Sequence, residues 1–149
     1  LAKVQFSFTN DHVEACGYKV KISNLKIAAY SSATVTFADK SWSNPTTPLD
    51  LTFPINNGNE IAEKATVQSA ESLIIPAAAN TYNITGTAQI IYGSNVVKTI
   101  NFNQKIADAL VAGYHYDIKA TITSNAPIVF SATVKDTWED GNDTTLNQN

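Results

Sequence analysis

Apolar and polar residues alternate with a period of two along most of this chain, the pattern of strands that bury one face. The clearest case lies between Leu110 and Trp138. Tyr114, Tyr116, Ile118, Ala120 and Ile122 share one face of a first run, while His115, Asp117, Lys119 and Thr121 point to solvent. After Ser124-Asn125-Ala126-Pro127, a stretch of turn chemistry, Ile128, Phe130, Ala132 and Val134 form a second apolar face that Trp138 extends. The pair reads as an antiparallel hairpin with one apolar side. Lys3 to Thr9 is a first strand with Val4, Phe6 and Phe8 inward. Tyr18 to Tyr30 carries two inward sets, Val20 and Ile22, then Leu25, Ile27 and Ala29. Their phase slips at Ser23-Asn24, as a bulge requires.

Elsewhere the signals are shorter. Thr34 to Ala38 suggests a further strand, whereas Asp39 to Asp50 reads as loop, because Pro45 and Pro48 exclude a central strand. Asn56-Asn57-Gly58-Asn59 is a turn signal, and Ile61 to Val67 has no decisive period. Ser72 to Ile75 is a short strand stopped by Pro76. Tyr82 to Tyr92 turns at Gly93-Ser94 into Val96 to Phe102. Ile106, Ala109 and Leu110 stand at helical spacing, so Gln104 to Leu110 is expected to hold one short helical turn. Strands spaced by about 8–12 residues with no long amphipathic helix predict an all-β, antiparallel two-sheet sandwich. Residues 1–138 are expected to form one domain and 139–149 a polar, disordered tail. The expected core includes Phe6, Phe8, Ile22, Ile118, Phe130 and Trp138.

At 149 residues the chain is long enough for a core without disulfide or metal. All ten basic residues are lysines, and the net charge is −3. That balance excludes nucleic acid, which needs a clustered basic surface. Lys3, Lys19, Lys21 and Lys26 are spread over strands, where they discourage edge pairing. Cys16 has no partner for an internal disulfide. No apolar run reaches the roughly 18 residues of a membrane helix. Because the chain opens at Leu1 inside a strand pattern, it is expected to be a processed or trimmed fragment.

Reactive chemistry is sparse. Only His12 and His115 could serve a nucleophile as base, His12 in a polar loop and His115 facing solvent. No nucleophile elbow, phosphate-binding glycine loop or zinc-protease motif is present. Asp136, Glu139, Asp140 and Asp143 form an acidic cluster, but a calcium loop started at Asp136 would place Trp138 and Asn147 at ligand positions. The cluster is read as a solvated tail, and neither metal nor cofactor is expected. Asn83-Ile84-Thr85 and Asn142-Asp143-Thr144 match the N-glycosylation sequon, and Asp143-Thr144-Thr145 is similar to a bacterial O-glycosylation acceptor. Trp42, between Lys40-Ser41 and Ser43-Asn44, is the candidate ligand-binding residue, since an aromatic face in a polar loop can stack on a sugar.

Several segments also carry a likeness in their order and spacing. Gly113-Tyr114-His115-Tyr116-Asp117-Ile118 is a "G-x-x-Y-x-I" strand opening, followed by a turn and a final strand to Trp138. Ser72-Leu73-Ile74-Ile75-Pro76 looks like an "LLIP" strand, and Thr81 to Phe102 like the hairpin after it. Leu1 to Phe6 and Val20 to Tyr30 look like the start of a C-terminal domain. Together these resemble the fimbrillin (Mfa-like) group of the Bacteroidetes cell surface. The resemblance implies a transthyretin-like sandwich of about seven strands. It also implies a non-enzymatic adhesion or pilus subunit on the extracellular side of the outer membrane. Partners would be other fimbrial subunits, or host surface and glycan ligands, with membrane attachment only through an anchor upstream. The alternative is a carbohydrate-binding domain of a surface glycan-uptake system, with Trp42 as its platform.

Three features depart from that group. Its members have two such domains in tandem, the residue after "LLIP" is Ala77 rather than Gln, and the absence of Arg leaves no site here for Arg-directed maturation. Stalk-forming members donate a C-terminal strand to the next subunit. In residues 139–149 Leu146 is the only apolar side chain, and Glu139, Asp140 and Asp143 would lose their water without partners. A tip or accessory role is therefore expected, rather than a stalk.

Overall fold

The alternating runs become ten β-strands in two sheets, with no helix among the described residues, which are 1–11, 17–56, 58–123 and 126–137 of this computed structural model. In chain order they are β1 Ala2–Asn10, β2 Tyr18–Thr36, β3 Ser41–Thr52, β4 Glu60–Ile61 and β5 Thr66–Gln68. There follow β6 Ser72–Ile74, β7 Asn83–Tyr92, β8 Asn95–Lys105, β9 Tyr114–Ile122 and β10 Phe130–Thr137. The first sheet runs β10-β9-β1-β5 with β6 also on β1; the second runs β3-β2-β7-β8 with β4 also on β2. The all-β sandwich expected from the alternation is therefore present, with ten strands instead of about seven. The excess comes from edges built in pieces. β6 pairs the first half of β1 and β5 the second, while β4 and β3 take successive parts of β2.

β1 and its neighbour β9 are each flanked by both kinds of pairing. β1 runs antiparallel to β5 and β6, but parallel to β9, from Lys3↔His115 to Asn10↔Ile122. Ser69 fills the gap between β5 and β6: its N–H donates to Phe6 O and its Oγ accepts from Phe6 N, both at 2.9 Å. At the far end, fully buried Asn10 donates from Nδ2 to Tyr18 O at 3.0 Å and Ile61 O at 3.1 Å, tying the two sheets together.

The inner faces meet in a phenylalanine cluster drawn from both sheets. Phe6 lies edge-on to Phe53 at 5.0 Å and to Phe130 at 6.1 Å. Phe130 also meets Phe8 at 6.0 Å and Phe102 at 5.2 Å. Such edge and tilted pairs add to the burial of the rings themselves. Ile22 and Ile118 are buried beside them in the same core. Opposite Phe102 in the β7–β8 ladder stands Gly86, and a methyl group there would lie 2.6 Å from the Phe102 ring. The glycine is there because the ring occupies its side-chain space.

Four expectations need correction. Asp39 to Asp50 is not loop. β2 continues through Thr34 to Thr36, turns, and returns as edge strand β3, a position that tolerates Pro45 and Pro48. In the turn, the Asp39 carboxylate accepts from Ser41 N at 3.1 Å, and hydrogen bonding to Ser41 holds its pKa below the usual value. Gln104 to Leu110 forms no helical turn either. Ile106 donates to Tyr82 O at 2.8 Å and Leu110 to Ala77 O at 2.8 Å, so residues 77–82 take the groups a helix would need. Val134 is 54% exposed, not buried: it sits on outer strand β10 beside a bulge, where the apolar face stops at Ala132. Tyr114 too is exposed, at the first position of β9. The bulge at Ser23-Asn24 is observed, with Asn24 at φ 54° and the β2–β7 register shifting between Ser23 and Lys26. Trp138, His12, Cys16 and the segment 139–149 lie outside the described residues.

Gly86→Ala is expected to destabilise the fold by about 1–3 kcal/mol, the usual range for overpacking, in urea melts. A change within about 0.5 kcal/mol, typical of a surface substitution, would show that Phe102 has room to move. Tyr82, also buried, donates its hydroxyl to Ile75 O at 2.8 Å, and burial followed by the nearby Tyr30 raises its pKa above 10.0. Its folded pKa exceeds the unfolded one, so its contribution is full below pH 10.0 and is lost as pH rises through the folded value. Tyr82→Phe should cost about 1 kcal/mol at neutral pH and make the alkaline loss of stability shallower in melts followed to high pH.

Candidate functional site

Trp42 stands on β3 opposite Val35, near the tip of the β2–β3 hairpin, so its position is strand rather than loop. The ring is half-buried and lines a cleft of about 250 Å³ at one end of the sandwich. Pro76, Ala77, Leu110 and Ala112 form the opposite wall, held by the paired backbones of Ala77 and Leu110, and Lys40 stands at the side. Chemically this is a small apolar slot with one aromatic face and one cation. It can cap the sandwich or stack on a flat ring, and it contains no general base or nucleophile.

A second constellation covers the outer face of the first sheet, where β1 and β9 run side by side. His115 was expected to face solvent, and its side chain is only 5% exposed. It does point outward, but other strands bring partners over it. Glu71, just before β6, places Oε2 3.2 Å from His115 Nε2, outside hydrogen-bond geometry. Asp136, at the β10 bulge, places Oδ1 3.5 Å from Nδ1. Glu71 also meets Lys3 at 3.7 Å. Next to them Gln5 donates to Ser69 O at 3.0 Å and accepts from Lys135 Nζ at 3.2 Å, while Ser7 Oγ donates to Asp117 Oδ1 at 2.7 Å. Gln5, Ser7, His115 and Asp117 are all buried on a face that alternation alone assigns to water.

The two nitrogens of His115 face carboxylates on opposite sides, with Nε2 lacking a hydrogen bond, so the imidazole is packed as a clamp point where β6, β9 and β10 meet. It does not activate a hydroxyl. Among the described residues no three His, Cys, Asp or Glu side chains converge to hold a metal ion, and no helix is long and apolar enough to cross a membrane. Of the acidic cluster read as tail, only Asp136 is described, and it belongs to this clamp. The signal for the clamp was present but faint: a strand whose outward positions are His and Asp, rather than all Lys and Thr.

The whole is a two-sheet β-sandwich carrying a polar ladder on one outer face and an aromatic slot at one end. A family model described as fimbrillin-like matches residues 1–138, and the chain belongs to that family. Its fold is similar to a crystallised fimbrial protein from Bacteroides vulgatus, with a TM-score of 0.62 at 13% identity over 91% of this chain and 54% of that one. A proposed cell adhesion protein from Bacteroides fragilis is more distant, with a TM-score of 0.47 at 14% identity over 93% of this chain and 46% of that one. The chain thus spans about half the length of these solved structures. A comparison with curated proteins gives no match.

His115→Ala removes a buried ring and leaves Glu71 and Asp136 facing a void. Denaturant melts should show a loss of about 1–3 kcal/mol, from the packing that the buried ring gives up, since Glu71 and Asp136 are themselves 41% and 57% exposed and stay in reach of water. Stability unchanged within about 0.5 kcal/mol would mean that the clamp is no more than a surface contact.

Proposed function

We propose that this chain is a non-enzymatic subunit domain of a cell-surface fimbrium, acting in assembly and attachment on the extracellular side of the outer membrane. The observation that carries the reading is the fimbrillin-like family match over residues 1–138. Partners are other fimbrial subunits, meeting the sandwich through strand edges whose main-chain groups supply affinity.

The position within the fibre that we propose is a tip or accessory one. Residues 139–149 carry Leu146 as their only apolar side chain, so this segment does not itself suit a donated strand, which needs an alternating set. Immunogold electron microscopy of fibres from cells expressing a tagged chain tests both levels. Label at fibre ends or at sparse single sites is expected. Continuous label along the shaft would overturn the tip assignment, and fibres without label would overturn the subunit reading itself.

A further inference from the structure

South of the clamp, the polar face of the first sheet opens into a groove of about 380 Å³ between β5, β1 and β9. Its floor is low because β1 contributes only Ser7 and Thr9, while register places Gln68 on one side of Ser7 and Lys119 on the other. Two strand spacings make it roughly 10 Å across. The volume is at the small end of ligand pockets, about 300–1,000 Å³.

The groups on its walls are not all engaged. Asp117 is more than nine-tenths buried, at 8% exposure. Its Oδ1 takes the Ser7 hydroxyl, and Oδ2 has no hydrogen-bond partner among the described residues. The Lys119 ammonium and the Gln68 amide likewise make no side-chain hydrogen bond or ion pair among those residues. Thr9 and Thr66 are joined across the floor at 2.7 Å. His115 Nε2 is the only sealed side-chain nitrogen or oxygen without a partner among the described residues, so Asp117 Oδ2 opens to the groove, where a ligand that brings hydroxyl groups can donate to it.

We propose that this groove binds a sugar residue of a neutral glycan, with hydroxyls donating to Asp117 Oδ2 and accepting from Lys119 Nζ and Gln68. Charge decides the class. One carboxylate beside one ammonium sums to zero, so a sulfated, phosphorylated or cationic ligand meets a repulsive partner, whereas a polyhydroxylated neutral one meets acceptor and donor together. The groove has no aromatic lining, so recognition runs through hydroxyl edges and not through ring stacking, which separates it from the Trp42 slot. The inference deepens the adhesion reading and rests on it for the source of the ligand, a glycan-coated surface.

The test is an array of neutral, sialylated and sulfated oligosaccharides probed with the purified chain, its Asp117→Asn, Lys119→Ala and Trp42→Ala variants, and followed by calorimetry on the best neutral hit. Asp117→Asn keeps an acceptor for Ser7 but turns Oδ2 into a donor, and Lys119→Ala changes an exposed position that the fold does not need. Both should weaken neutral-glycan binding at least tenfold with thermal melts unchanged, and Trp42→Ala should leave it intact. No neutral glycan bound, binding lost only in Trp42→Ala, or preference for the acidic sugars would each overturn the proposal. The immunogold readout on fibres keeps the two readings apart. A chain that labels fibres but ignores glycans loses the groove and remains a subunit, and one that binds glycans without entering fibres keeps the groove and loses the fimbrial role.

Discussion

Everything in this sandwich depends on β1 lying inside its sheet. A strand paired on both edges and covered on both faces cannot tolerate the wrong side chain in either direction. Phe6 and Phe8 pack inward against Phe53 and Phe130, while Gln5 and Ser7 reach outward to Ser69, Lys135 and Asp117. A slip of one residue against β9 would exchange the two sets, driving an amide and a hydroxyl into the phenylalanine cluster. The polar face therefore specifies register as firmly as the apolar one. Apolar packing alone would stabilise any alternating strand with bulky inward groups. The polar pairs accept only this alignment.

The same strand links the clamp to the groove. Its outward row begins at Lys3, near Glu71 and the His115 clamp, passes through Gln5 and Ser7, and ends at Thr9 in the floor of the groove. The clamp and the groove are thus neighbours on one rigid surface, with geometry set by parallel pairing to β9. Sites on strands are held more closely than sites on loops, which suits a surface that recognises by fixed hydroxyl positions.

Much of this was legible in the pattern of residues. The strands of the β7–β8 and β9–β10 hairpins, the bulge at Ser23-Asn24 and the turn at Gly93 follow from local alternation and local turn chemistry, because both partners lie close in sequence. What escaped was non-local. Alternation states that His115 and Tyr116 point opposite ways; it cannot state that Glu71 and Asp136 will fold over the histidine. Proline in residues 45–48 correctly barred a central strand, yet could not distinguish a loop from an edge strand, so Trp42 was placed in the wrong kind of segment. Helical spacing at Ile106 to Leu110 was decided by the backbone of residues 77–82, again from another part of the chain. The groove depends on three strands whose order in the sheet, β5-β1-β9, bears no relation to their order in the sequence.

That order also has a temporal side. β1 precedes the other strands in the chain and β9 is among the last, so the Ser7–Asp117 bond closes a separation of 110 residues. During synthesis or export, a strand bearing Val4, Phe6 and Phe8 waits with one edge unpaired until nearly every other strand has appeared. Long-range parallel pairing of this kind folds slowly and leaves sticky intermediates. For this molecule the vulnerable moment is the interval before β9 arrives, when β1 remains open to any other extended segment within reach.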